Sequence, residues 1–116
     1  MNISPSLKKN VEEIKKRINA FDLKICERNA NGTKLCVFYI DSVTDKEAVT
    51  RLALTPIKKL DGRLSFDALK ETLSASETEV RESLEDVVKD LLDGKPALFL
   101  NGNKKAHKHN KALSEI

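Results

Sequence analysis

A chain of 116 residues with 40% hydrophobic and 34% charged side chains, and only 4 Gly and 3 Pro, is long enough to bury a modest core and too apolar to be disordered. The net charge of +3 arises from 21 basic and 18 acidic residues spread along the chain, which gives little support to a nucleic-acid-binding composition. The polar, charged N-terminus is unlike a signal peptide, and no apolar run approaches the roughly 20 residues that span a bilayer, so residues 1–116 read as a single soluble α/β domain.

In chain order, Ser4-Pro5 opens a first helix, with Ser as N-cap and Pro at the first helical position. Leu7, Val11, Ile14 and Ile18 then form one narrow apolar stripe, and lysines, Arg17, Glu12 and Glu13 fill the solvated remainder. Asp22 to Arg28 alternates apolar and polar residues, and Asn31-Gly32 is the preferred filling of a two-residue hairpin turn. The return strand, Leu35-Cys36-Val37-Phe38-Tyr39-Ile40, has six apolar positions without a charge and reads as a central strand buried on both faces. The turn sets the register: Ala30 faces Thr33, Leu23 faces Ile40 and Ile25 faces Phe38. Cys26 then faces Val37 and Cys36 faces Glu27, so the two thiols point to opposite faces and stay free.

Thr44-Asp45-Lys46-Glu47 has the form of a capping box and predicts a helix from Asp45, broken near Pro56, with Ile57 and Leu60 packing before Asp61-Gly62. Ser65 opens a short helix carrying Phe66, Leu69 and Leu73. Ser76 to Glu79 is a second capping box, and Val80, Leu84, Val87, Val88, Leu91 and Leu92 trace a helical stripe that ends at Gly94. Pro96 to Leu100 reads as a second buried strand, and Asn101-Gly102 turns the chain into a polar partner, Asn103 to Lys108, at the sheet edge. With helices standing between them, the two buried strands are expected to be parallel. The expected fold is a small mixed sheet of about four strands, in two β-hairpins, covered by about four helices.

Sites are sparse. His107 and His109 alternate onto one face but lack a third ligand, so they read as an exposed polar tail and not a metal site. No nucleophile with a neighbouring base and no Gly-rich phosphate loop occurs, so neither catalysis nor a cofactor is expected. Asp41 reads as a cap on the turn that follows it. If a ligand or partner touches the domain, Asp41, Ser42, Thr44 and Asp45 are the candidates. The carboxyl ends of parallel strands leave a crevice there, and the backbone N–H groups of Asp45 and Lys46 at a helix start suit a carboxylate. The competing function class is a small basic nucleic-acid-binding or protein-interaction module carried by Lys104 to Lys111, a segment without interleaved aromatic residues.

Several junctions resemble the N-terminal extramembrane region of the A subunits of bacterial spore germinant receptors, the GerA family. They are Asp22-Leu23, Phe38 through Glu47, Thr55-Pro56-Ile57, Glu79-Val80, Leu91 through Gly102, and Lys105-Ala106. The related stage V sporulation protein AF shares this region. This chain departs from the family at Ser42, where Gly is usual, at Asn101, where an acidic residue is usual, and in the polar run from His107 to Lys111. The resemblance implies the first subdomain of a longer membrane protein at the spore inner membrane. That protein would sense small nutrients such as amino acids or sugars and work with B and C subunits, with its membrane segments outside this stretch.

Overall fold

The computed structural model describes residues 1–19, 22–30, 33–44, 47 and 78–109. Within them the order is α1 (Leu7–Arg17), β1 (Leu23–Ala30), β2 (Thr33–Ile40), β3 (Thr78–Arg81), α2 (Leu84–Leu92), β4 (Ala97–Leu100) and β5 (Ala106–His109). The helices expected after Thr44 and Ser65 fall outside the described residues, except that Glu47 is helical.

The five strands form one sheet in the order β1-β2-β4-β5-β3, and every neighbouring pair is antiparallel. The first hairpin has the register that its Asn-Gly turn implies, from Leu23 opposite Ile40 to Ala30 opposite Thr33. Leu35 through Ile40 are all buried, so β2 is covered on both faces, and Cys26 and Cys36 are free thiols.

Three expectations need correction. First, the buried strands β2 and β4 are adjacent and antiparallel, with Val37 opposite Leu98. The parallel relation belongs instead to β3 and β4: both run antiparallel to β5, which lies between them, and α2 connects them as a split β-α-β unit. Second, Thr78–Arg81 is a strand and not the first turn of a helix. The helix starts six residues after Thr78, at Leu84, with Ser83 in extended backbone before it. Third, β5 is interior and the edge is β3, so His107 and Lys108 are buried. The mixed sheet of about four strands is thus a five-stranded antiparallel sheet, with two helices among the described residues.

The α1 stripe packs as its spacing predicts, with Leu7, Ile14 and Ile18 buried and Val11 partly so. Its start is shifted to Ser6, whose Oγ accepts the Lys9 N–H. The buried Asn10 side chain causes the shift, because it accepts the Ser4 N–H at 2.9 Å and donates to the Ser4 carbonyl at 2.7 Å, which holds Ser4-Pro5 outside the helix. Both helices cover one face of the sheet. There Cys36, Phe38, Ile40, Ala97, Phe99 and Ala106 meet Ile14 of α1 and Leu84, Val87 and Leu91 of α2. Phe38 and Phe99 form the centre, edge to face with centroids 5.3 Å apart. The residues on the other side of β2 and β4, such as Val37 and Leu98, are buried as well, and this is why both strands read as unbroken apolar runs.

Candidate functional site

The exit of β2 is a braced turn. The Asp41 N–H donates to the Asp22 carbonyl at 3.0 Å, and the Ser42 N–H donates to Asp22 Oδ2 at 3.1 Å. Hydrogen bonding from Ser42, chiefly from its side chain and then from its N–H, holds the Asp22 carboxyl below the usual aspartate value, against the opposing effect of burial. Asp22, and not Asp41, therefore caps this turn. The Val43 N–H closes it onto the Ile40 carbonyl at 3.1 Å.

Thr44 is buried, and its hydroxyl donates to the Gly94 carbonyl at 3.0 Å. Gly94 has φ 85°, the left-handed residue that ends α2, with the Lys95 N–H returning to the Asp90 carbonyl and the Gly94 N–H to that of Leu91. The structure thus places Asp41 and Ser42 on the surface and commits Thr44 to the joint between β2 and α2. Asp45 lies outside the described residues. Because β2 and β4 are antiparallel, the crevice expected at the ends of parallel strands has no basis here.

His107 is buried between Leu98 of β4 and Val80 of β3, so the exposed tail expected at this position is an interior strand. Among the described residues no three His, Cys, Asp or Glu side chains gather as a metal site requires. Cys36 is the opposite of an activated nucleophile: burial, with Glu27 adding to it, pushes its thiol up to about 12.

The concave feature that sequence reasoning missed lies at the other end of the sheet. A groove of about 710 Å³ runs between one side of α1, from Ser6 to Lys15, and the turn end of the first hairpin. Val11, partly exposed, gives it apolar surface, with the buried Leu7 and Leu35 beneath. Lys8, Glu12 and Lys15 line it from the helix, and Glu27, Arg28 and Lys34 from the strands. Asn101 closes one end, where its Oδ1 accepts the Leu7 N–H at 3.1 Å and its own N–H donates to the Lys34 carbonyl at 2.9 Å. Only the spacing of Lys8, Glu12 and Lys15 on one helix face was visible beforehand, and it does not say what stands opposite.

Residues 6–112 match the Bacillus/Clostridium GerA spore germination protein family. The chain belongs to that family. The fold agrees with the crystal structure of the N-terminal domain of the A subunit of the Bacillus megaterium spore germinant receptor GerK3. The TM-score is 0.74 at 16% identity, and the match covers 100% of both chains. No curated protein matches by sequence. Among the described residues no helix is long and apolar enough to cross a membrane.

Proposed function

We propose that this GerA-family chain is the N-terminal, non-catalytic first subdomain of a spore germinant receptor A subunit, or of the related stage V sporulation protein AF. It serves nutrient sensing or receptor assembly during spore germination. The observation that carries the reading is the family match across residues 6–112, joined to an end-to-end likeness in fold to the GerK3 domain. The site chemistry is consistent with it: Cys36 is buried and its thiol is pushed up, and the braced exit of β2 is a structural joint and not a reaction centre.

In this reading the domain works beside B and C subunits at the spore inner membrane, in a receptor for small nutrients such as amino acids or sugars. Asp41 and Ser42 are the two exposed candidates at the β2 exit that can touch a ligand or partner, and of the two Ser42 also braces the turn onto Asp22. The basic-module alternative loses one of its lysines, because Lys108 is buried against acidic side chains, while Lys104 and Lys105 are exposed. The test is genetic: the reading frame containing this chain is supplied as the only receptor A subunit in otherwise receptor-deficient spores. Restored germination with individual amino acids or sugars supports the assignment. No response to any of them, with the protein present at the inner membrane, overturns it.

A further inference from the structure

We propose that the groove between α1 and the first hairpin is a docking site for an extended, acidic and partly apolar peptide segment of a partner protein. This rests on reading the domain as part of an assembly, and it names the surface and the chemistry that meets it.

Among the described residues three lysines, Lys8, Lys15 and Lys34, line the groove with two acidic residues, Glu12 and Glu27. Arg28 also borders it, but it alternates with Glu27 along β1 and its guanidinium donates to the Glu27 carbonyl at 2.8 Å. Lys8, Lys15 and Lys34 enter none of the ion pairs among the described residues, whereas Arg17, on the same helix, is held by Glu13 and Glu85. The three lysines of the groove are therefore available to an acidic partner, and the partly exposed Val11 gives that partner apolar surface to bury. From Ser6 to Lys15 the helix wall is roughly 14 Å long, which matches about four residues of extended chain.

Other occupants fit less well. A planar anionic bilayer cannot follow a concave surface that also carries Glu12 and Glu27, and single-stranded nucleic acid would want stacking aromatic residues, none of which line it among the described residues. A single small anion would leave most of about 710 Å³ unfilled.

The experiment pans a phage-displayed library of short random peptides against the 116-residue chain, then titrates the best sequence into isotope-labelled protein followed by NMR. The expected consensus carries Asp or Glu with at least one large apolar residue, and amide shifts concentrate at Lys8, Val11, Lys15, Arg28, Lys34 and Leu35. The double variant Lys15→Glu, Lys34→Glu weakens binding by about tenfold, rising salt weakens the parent complex, and Lys89→Glu on α2 changes affinity less than about twofold.

The proposal is overturned by no enrichment over the blank support, by a consensus lacking acidic residues, or by shifts that map elsewhere. It is equally overturned if vesicles of phosphatidylglycerol bind and that binding is what the groove variants abolish. Failure here leaves the germination assay of the receptor reading untouched. Peptide binding in a protein that fails that assay would keep the groove and discard the receptor.

Discussion

Arg81 and Asp90 meet across the gap between the edge strand β3 and helix α2, with Arg81 Nε donating to Asp90 Oδ2 at 2.8 Å and the second guanidinium nitrogen to Oδ1 at 3.4 Å. Lys108, from the interior strand β5, approaches the same carboxylate at 3.9 Å and Glu79 at 3.0 Å. The network lets a polar strand lie inside a sheet, because each buried charge has an opposite one within reach. Asp90→Ala leaves the Lys108 ammonium buried with Glu79 as its one remaining partner in this network. Arg81 is partly exposed and can recover water, so the expected cost is about 2–3 kcal/mol and not the larger value of a fully buried pair. Urea unfolding should show this as a lower midpoint at unchanged slope, and Arg81→Ala added to Asp90→Ala should cost less than the sum of the two.

Cys36 makes the fold sensitive to alkali. Burial raises its thiol from 9.0 to about 12, so between those values the unfolded chain has lost a proton that the native chain keeps. Stability contributed by this group is complete below pH 9 and declines above it, by about 1.4 kcal/mol per pH unit at the steepest. Tyr39, also raised chiefly by burial, acts in the same direction. Denaturation midpoints should hold from pH 8 to 9 and fall from pH 9 to 11, and Cys36→Ala, although less stable at pH 8, should fall less steeply. Parallel slopes would show that Cys36 is not the group responsible. In the native protein near neutral pH a thiol reagent should reach the half-buried Cys26 first, and in denaturant it should find both thiols.

How far the sequence could be read depended on whether a segment's partners are local. The first hairpin was legible to the residue because Asn31-Gly32 fixes the register and the alternation of Leu23, Ile25 and Glu27 has one consistent pairing. The α1 stripe was legible for the same local reason. β3 was not, because Val80 stands four residues before Leu84, in phase with the helix that follows, and Ser76 to Glu79 imitates a capping box. Reading β3 as helix places the crossover between β2 and β4 instead of between β3 and β4. β5 was missed as an interior strand because what makes Lys108 tolerable, Asp90 and Glu79, comes from elements distant in sequence. The groove joins α1, the first hairpin and the turn after β4, and no local pattern announces such a meeting.

Asn101, one of the positions at which this chain departs from the acidic residue usual in the resembled family, is a cap supplied from a distance: its Oδ1 takes the Leu7 N–H at the start of α1. A carboxylate there would accept the same hydrogen bond and add a favourable charge at the helix N-terminus. Asn101→Asp is expected to stabilise by about 0.5 kcal/mol, whereas Asn101→Ala should cost about 1 kcal/mol. Thermal melts of the two variants check this. The groove gives an opposite readout for Asn101→Asp, since a negative charge at its end should weaken an acidic peptide while the melt rises.

The exit of β2 separates a structural residue from surface ones in a way that can be measured. Thr44 donates its hydroxyl to the Gly94 carbonyl from a buried position, so Thr44→Val keeps the shape but leaves that carbonyl without this donor, at an expected cost of about 1–2 kcal/mol. Asp41 is exposed, and neither hydrogen bond to Asp22 comes from its side chain, so Asp41→Asn should change stability by less than about 0.5 kcal/mol. In a full receptor the two changes then have distinct signatures. Thr44→Val should act through abundance, lowering receptor level and maximal germination together while the half-maximal nutrient concentration stays where it was. Asp41→Asn should leave abundance alone, so any shift in that concentration would report a contact made by its carboxylate. A shifted nutrient response in Thr44→Val at normal receptor level would contradict the structural role assigned to its hydroxyl, because a side chain spent on joining β2 to α2 has nothing left to offer a ligand.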